Sequence, residues 1–302
     1  MDSSNHSLKA IFYAFSANLG IAIAKTWAAF FTGSGSMLAE AIHSFADSGN
    51  QVLLYLGLKQ AQRPPDQNHP LGYGKISYFW SFVVAILLFT MGGVFSIYEG
   101  WHKLDSHEGL RQPIIGILIL LLSIALEGWS LRGCLVEVNR IKGDKTLWQW
   151  LFNTRNAELV VVLGEDTAAL IGLSLALAGL GMATITGNPV YDAMGSIAIG
   201  VVLILISLFV ALHIKALIIG RSAEPELEQA INQVIEQDDA IAHLFNLITL
   251  QLGPDVMVAA KLRMKPELTL QQAVHKINLL EVEIKRTVPQ VKWCFMEPDC
   301  KD

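Results

Sequence analysis

Six apolar stretches, each long enough to cross a bilayer, constrain what this chain can fold into. A spanning helix needs about 20 largely apolar residues. The stretches are Leu8–Thr32, Ser36–Lys59, Ser77–Tyr98, Pro113–Arg132, Ala157–Met182 and Pro189–Ile219. Only 16% of the 302 residues are charged, whereas soluble domains carry about 25%, and the charges become dense only after Leu217. We therefore predict a six-helix transmembrane domain over 1–221 and a small cytosolic domain over 222–302.

The basic residues predict the orientation, because Lys and Arg concentrate in cytosolic loops. The loops after the second and fourth stretches are basic, whereas those after the first and fifth contain no Lys or Arg. The basic positions are Arg63, Lys75, Arg132, Arg140, Lys142, Lys145 and Arg155. Both termini are predicted to be cytosolic, in a multi-pass protein of the cell membrane. The first stretch is too long for a cleaved signal peptide, so we expect it to stay in the mature protein.

Composition excludes two other classes. The formal net charge of -5 argues against a nucleic-acid partner, because phosphate binding needs a basic face. Three scattered cysteines (Cys134, Cys294 and Cys300) are too few for a disulfide framework or a four-thiolate zinc site.

After the last apolar stretch the pattern becomes that of a compact α+β domain. Ser222 is predicted to cap a helix that runs to about Gln237. Residues 243–252 and 256–264 then alternate as two antiparallel strands around Gly253-Pro254-Asp255. Thr269 and Gln272 form a capping box for a helix that ends before Pro289, and a strand follows over about 291–297. The predicted order is αββαβ.

Polar residues inside the second and fifth stretches carry the functional signal. Glu40, His43, Asp47 and Asn50 are spaced by three, four and three residues, so they share one helical face. The fifth stretch contains Glu165 and Asp166. His43 and Asp47 can both reach one metal ion, and the two carboxylates would complete the site if they face it.

A structural reading of these groups, as hydrogen bonds between helices, is the alternative. Ionisable side chains are costly within a span and usually mark a functional path, which favours a metal site of His43, Asp47, Glu165 and Asp166. Glu40 and Asn50 are interpreted as supporting or proton-carrying groups. Lys25 is interpreted as a packing or snorkelling residue, and Asp192 as an interfacial or helix-N-terminal charge.

Several segments resemble the cation diffusion facilitator family. Ser36–Asp47 is similar to its second-helix signature and His69–Lys75 to its following loop. Leu163–Leu170, Ile185–Asp192 and Gly220–Ser222 are similar to its zinc transporter 9-like branch. The resemblance extends over the whole chain. It implies a homodimer that exchanges metal for protons by alternating access, a ferredoxin-like cytosolic domain, and a transport site of two residues on each of the second and fifth helices.

The chain departs from the family pattern at three places. The family's histidine on the fifth helix is replaced by Val161 or Val162, depending on the alignment, so the choice between Glu165 and Asp166 stays open. A zinc site in the loop would need a histidine at Tyr73. A cytosolic two-metal site would need histidines at the positions of Lys261, Val274 and Phe295. We therefore expect no metal site in the C-terminal domain and assign it to dimerisation.

The combined hypothesis is a proton-coupled exporter of a divalent transition metal, with zinc preferred and no cofactor. Metal ligands must lose protons to bind, and His43 titrates in the range that such a switch needs. Three alternatives stay open: a manganese or iron(II) exporter of the same fold, a membrane-embedded metallohydrolase, and a scaffold that does not transport. Expected partners are metal, protons, membrane lipid and a second copy of the chain, without nucleic acid.

Overall fold

The computed structural model describes residues 3–104 and 112–301, and it describes side-chain surroundings from Asn18 onward. Nine helices and three strands lie within these ranges. The helices are α1 Ser3–Thr32, α2 Gly35–Ala61, α3 Ile76–Leu104, α4 Pro113–Ile141, α5 Leu147–Asn153, α6 Ala157–Thr186, α7 Val190–Ile219, α8 Pro225–Gln237 and α9 Leu270–Thr287. The strands are β1 Ile241–Leu252, β2 Asp255–Met264 and β3 Val291–Pro298.

Four of the described helices are long and apolar enough to cross a membrane. These are α3, α4, α6 and α7, with 29, 29, 30 and 30 residues. Helices α1 and α2 have spanning length, at 30 and 27 residues, but α2 carries the polar face described above. The first part of the chain is therefore the helical domain of a multi-pass membrane protein.

Glycines bring α3 and α7 into backbone contact within the bundle. A Cβ at Gly200 would lie 2.6 Å from the carbonyl oxygen of Gly93, and one at Gly100 would lie 2.7 Å from that of Ala193. Small residues allow such close approach between membrane helices. The contact includes a π-helical turn of α3 over Leu88–Val94, a distortion that is frequent at functional sites.

The C-terminal domain has the predicted αββαβ order. Strand β2 lies centrally, antiparallel to β1 and parallel to β3. The predicted alternation is confirmed, since every second residue of β2 is buried against α8 and α9: Val256, Val258, Ala260 and Leu262. The capping box of Thr269 and Gln272 is also confirmed.

Three local predictions were wrong or incomplete. Ser222 does not cap α8, which begins at Pro225 after Glu224, without a side-chain cap. The spacing of Leu270 from Ala273 and Ile277 predicts that it shares their apolar face, but Leu270 is the first residue of α9 and is 79% exposed. Helix α5 was not predicted, since seven residues are too few to show a period.

The chain divides into two compact units. One contains most of the long helices, and the other joins the chain from Lys215 onward to two shorter segments, Gly57–Phe79 and Trp148–Ala157. Within this second unit, Gly74 and Gly253 lie backbone to backbone: a Cβ at Gly253 would lie 2.5 Å from the carbonyl oxygen of Gly74, and a Cβ at Gly74 would overlap the carbonyl oxygen of Leu252. The buried Tyr78 hydroxyl accepts from the Gly253 N–H at 3.1 Å. The His69–Lys75 loop is thereby fixed to the β1–β2 turn.

Candidate metal site

The predicted polar face of α2 is buried in the helical bundle. His43 is 1% exposed and its Nε2 atom lies 3.5 Å from Oδ2 of Asp47, whose side chain is 15% exposed. Neither ring nitrogen of His43 has a hydrogen-bond partner among the described residues, and Oδ1 of Asp47 is also without one. Buried polar atoms are nearly always satisfied, so these atoms are candidates for binding an ion.

The two carboxylates of α6 face different helices. Asn50 Nδ2, on α2, donates to Glu165 Oε1 at 2.6 Å, and Glu165 is 7% exposed. Ser130 Oγ, on α4, donates to Asp166 Oδ2 at 3.2 Å. Adjacent helical residues project about 100° apart, which explains the separation. Glu165 therefore lies toward the face of α2 that carries His43, and Asp166 lies toward α4.

A cavity of about 70 Å³ connects these groups. Asp47, Glu165 and Asp166 line it together with Glu127 from α4. Glu127 was not predicted as part of the site, because its place near a helix end suggested ordinary solvation. Among the described residues, no three His, Cys, Asp or Glu side chains are close enough to hold one ion. Three of the four predicted ligands, Asp47, Glu165 and Asp166, therefore line one cavity, but the predicted ligands are not close enough together to hold one ion.

Lys25 differs from its interpretation as a packing residue. Its ammonium group is fully buried and lies 3.2 Å from Oε2 of Glu40. It also donates to Ser44 Oγ at 2.7 Å. Burying a charge is costly unless it is paired, so the pair explains how both ions persist between α1 and α2. Glu40 is thus directed to Lys25, one turn away from His43.

Asp192 lies in the first turn of α7, which confirms a helix-N-terminal charge, but it is buried rather than interfacial. It is 2% exposed and accepts from Ser34 Oγ and the Gly35 N–H, each at 2.7 Å, as well as from Ser36 Oγ. Ser34 also accepts from the Met37 N–H and caps α2. The carboxylate therefore joins the start of α7 to the α1–α2 turn. Its negative charge there also interacts favourably with the positive end of the α2 helix dipole.

The His69–Lys75 loop uses its polar groups internally. Tyr73 donates its hydroxyl to Asp66 Oδ2 at 2.6 Å, and the His69 N–H donates to Asp66 Oδ1 at 2.7 Å. The Tyr73 hydroxyl and then the His69 N–H hold the pKa of Asp66 below its usual value. Tyr73 therefore stands beside His69 as a hydrogen-bond donor, their rings 4.2 Å apart.

The three positions at which a C-terminal metal site would need histidines carry other side chains. Lys261 Nζ lies 3.0 Å from Asp299 Oδ2, and this contact lowers the pKa of Asp299. Phe295 and Val274 are 56% and 49% exposed. His243 makes an edge contact with the ring of Phe245 at 5.0 Å. Ammonium, phenyl and isopropyl groups supply no metal ligand.

Long apolar helices around a cavity lined by buried carboxylates define an integral membrane protein with a polar site inside its bundle. A model of the cation efflux transmembrane domain matches residues 11–214, and the chain belongs to this family. It is a family of cation efflux transporters and not of enzymes, so the metallohydrolase alternative is not supported.

Two relatives and one solved structure illustrate the similarity. The proton-coupled zinc antiporter SLC30A9 of Xenopus laevis is 33% identical over 253 residues, which are 83% of this chain and 44% of that protein. The chain thus spans less than half the length of that relative. The magnetosome protein MamB of Paramagnetospirillum magneticum is 25% identical over 284 residues, which are 93% of this chain and 90% of that protein. A MamM C-terminal domain structure is 13% identical, covers 26% of this chain and 98% of its own, and has a TM-score of 0.24.

Proposed function

We propose that this chain exports a divalent transition metal, preferentially zinc, in exchange for protons. The metal would bind His43 and Asp47 of α2 and Glu165 of α6. Asn50 would orient Glu165, and Asp166 with Glu127 would carry protons in the same cavity. Glu40 would take part only through its ion pair with Lys25.

The observation that carries this proposal is the unsatisfied polar face of α2. An imidazole and a carboxylate lie one helical turn apart, both with buried atoms that have no partner in the described part of the chain, and the carboxylate lines a cavity with three more carboxylates. Burying such ionisable groups in a bilayer costs free energy, and where they occur they usually mark a path for ions. Metal binding requires their deprotonated forms, so metal and protons compete for the same atoms.

The wider arrangement belongs to the same proposal. All six long helices would cross the membrane, and both termini would be cytosolic. The chain would act as a homodimer through its C-terminal domain, which would bind no metal. A cell membrane is the proposed location.

Zinc is preferred because one imidazole with carboxylates suits it, and the similarity to the zinc antiporter of Xenopus laevis supports the choice. Manganese and iron(II) accept oxygen-rich sites as well. The flux experiment described next therefore measures which of these metals the protein prefers.

The test is metal flux into proteoliposomes that contain the full chain. With an acidic lumen, zinc should enter while the lumen becomes more alkaline, and competing manganese or iron(II) should reduce this flux only weakly. Asp47→Ala should reduce the flux to that of protein-free liposomes, whereas Asp144→Ala, at an exposed loop residue, should not change it. Zinc entry without opposing proton movement would contradict the antiport.

A further inference from the structure

Helix α5 presents an exposed aromatic face. Trp148 and Phe152 are 68% and 54% exposed, and their rings stack with centroids 6.3 Å apart. They are separated by four residues and so lie on one side of the helix. Trp150 is 3% exposed and packs on the other side. The short helix is thus amphipathic, with two large aromatic rings directed outward.

The inner side of α5 is fixed by its own unit. Arg221 donates to the Phe152 carbonyl oxygen at 2.7 Å. Arg155 donates to the carbonyl oxygens of Ser222 and Ala223 at 2.7 and 3.0 Å and to that of Asn153. The aromatic face is therefore held by the segment that connects α7 to α8.

Chain length keeps α5 close to the membrane. Helix α4 ends at Ile141, six residues before Leu147, and α6 begins at Ala157, four residues after Asn153. A residue extends at most about 3.6 Å, so these connections reach roughly 22 and 14 Å. Both α4 and α6 have the length and hydropathy of membrane spans. Helix α5 is consequently tethered by two short connections to the ends of two helices of spanning length.

The chemistry of this surface matches the exposed face. Trp side chains are enriched at the level of the lipid headgroups. The segment that leads into α5 carries Arg140, Lys142 and Lys145 against one acidic residue, Asp144, and its net positive charge attracts anionic headgroups. We propose that Trp148 and Phe152 insert into the headgroup region of the membrane and anchor the α7–α8 connection to it. This inference depends on the membrane domain and not on the transported ion.

Spin labels at single cysteines test the anchor. The full chain with Cys134→Ala, Cys294→Ala and Cys300→Ser would carry Trp148→Cys or Phe152→Cys and be placed in nanodiscs that contain anionic lipid. Collisions with oxygen, which dissolves in lipid, are compared with collisions with water-soluble chromium oxalate. We expect an oxygen-to-oxalate ratio severalfold above that of an aqueous control, Asp144→Cys. It should lie below that of Leu122→Cys, at an exposed position within α4.

Two results would overturn the proposal. A ratio equal to that of the Asp144→Cys control would place both rings in water. Exclusion of both reagents would show that protein covers the face, as in contact with a second copy. In the unaltered cysteine background, Trp148→Phe should also reduce the share of tryptophan emission that headgroup-brominated lipids quench, and an unchanged share would count against insertion.

Discussion

The buried ion pair of Lys25 and Glu40 allows a quantitative prediction about the bundle. Lys25→Met removes the charge and leaves an unbranched side chain that is one heavy atom shorter. Glu40 then retains a carboxylate whose Oε2 loses its 3.2 Å partner and whose Oε1 already has none among the described residues. A Cβ on Gly172 would lie 2.5 Å from that Oε1 atom, so the carboxylate has little room to turn toward another donor.

The magnitude follows from the complete burial of both groups. Removing one member of a buried pair costs about 3–5 kcal/mol, whereas replacing both by apolar residues is often close to neutral. We expect Lys25→Met and Glu40→Leu each to lower the free energy of unfolding by at least about 3 kcal/mol. The double variant should lose about 1 kcal/mol or less, which makes the two changes strongly non-additive.

Equilibrium unfolding in detergent measures these values for the purified full chain. Lys215→Met, at an exposed position of α7, is the matched control and should change stability by less than about 0.5 kcal/mol. Losses that add within about 0.5 kcal/mol would refute the pair as a coupled unit. The double variant should also keep the ratio of protons to metal transported. A lower ratio would indicate that Glu40 itself carries protons.

Three further predictions concern the site and the thiols. Glu165→Gln should nearly abolish zinc flux and Asp166→Asn should reduce it only partly, because Glu165 faces α2; equal, mild effects would exclude α6 as a source of ligands. Asp47→Ala should remove all tight zinc binding seen by calorimetry of the full chain, and residual stoichiometric binding would reveal a site in the C-terminal domain. Burial raises the pKa of the Cys294 thiol to about 11, so almost no thiolate exists at pH 8 and the thiol should stay unreactive toward Ellman's reagent until the protein unfolds. The exposed Cys300 should react at once, and equally fast reaction of Cys294 would contradict its burial.

Periodicity explains which features could be predicted from the sequence. The four helices of spanning length and hydropathy depend on apolar residues along one element, and the polar face of α2 depends on spacing along one helix. The αββαβ order depends on alternation and turn residues. The capping box at Thr269 is equally local. Each of these signals is complete within a short window of sequence, so no knowledge of neighbouring elements is needed.

The features that were missed depend on contacts between elements. The pairing of Lys25 with Glu40 depends on how α1 is rotated against α2. Asp192 is buried because its partners come from a turn 157 residues earlier in the chain. Glu165 bonds to α2 and Asp166 to α4, and this difference depends on which helices flank α6. These are properties of packing, which a single sequence does not encode in any local pattern.

The contact of Gly74 with Gly253 also limits how this protein can vary. The two glycines are far apart in the sequence, yet the main chain of Gly74 occupies the space that a Cβ at Gly253 would need, and the Leu252 carbonyl occupies the space that a Cβ at Gly74 would need. Gly253 also has a left-handed backbone, with φ of 71°. A methyl group at either position cannot be accommodated by turning a side chain, because the obstacle is main chain. In a saturation library, both positions should therefore accept only glycine, and no second change at the partner should restore function. A displacement of the β1–β2 turn would therefore move the start of α3 directly, because main-chain atoms make the contact and no flexible side chain lies between them.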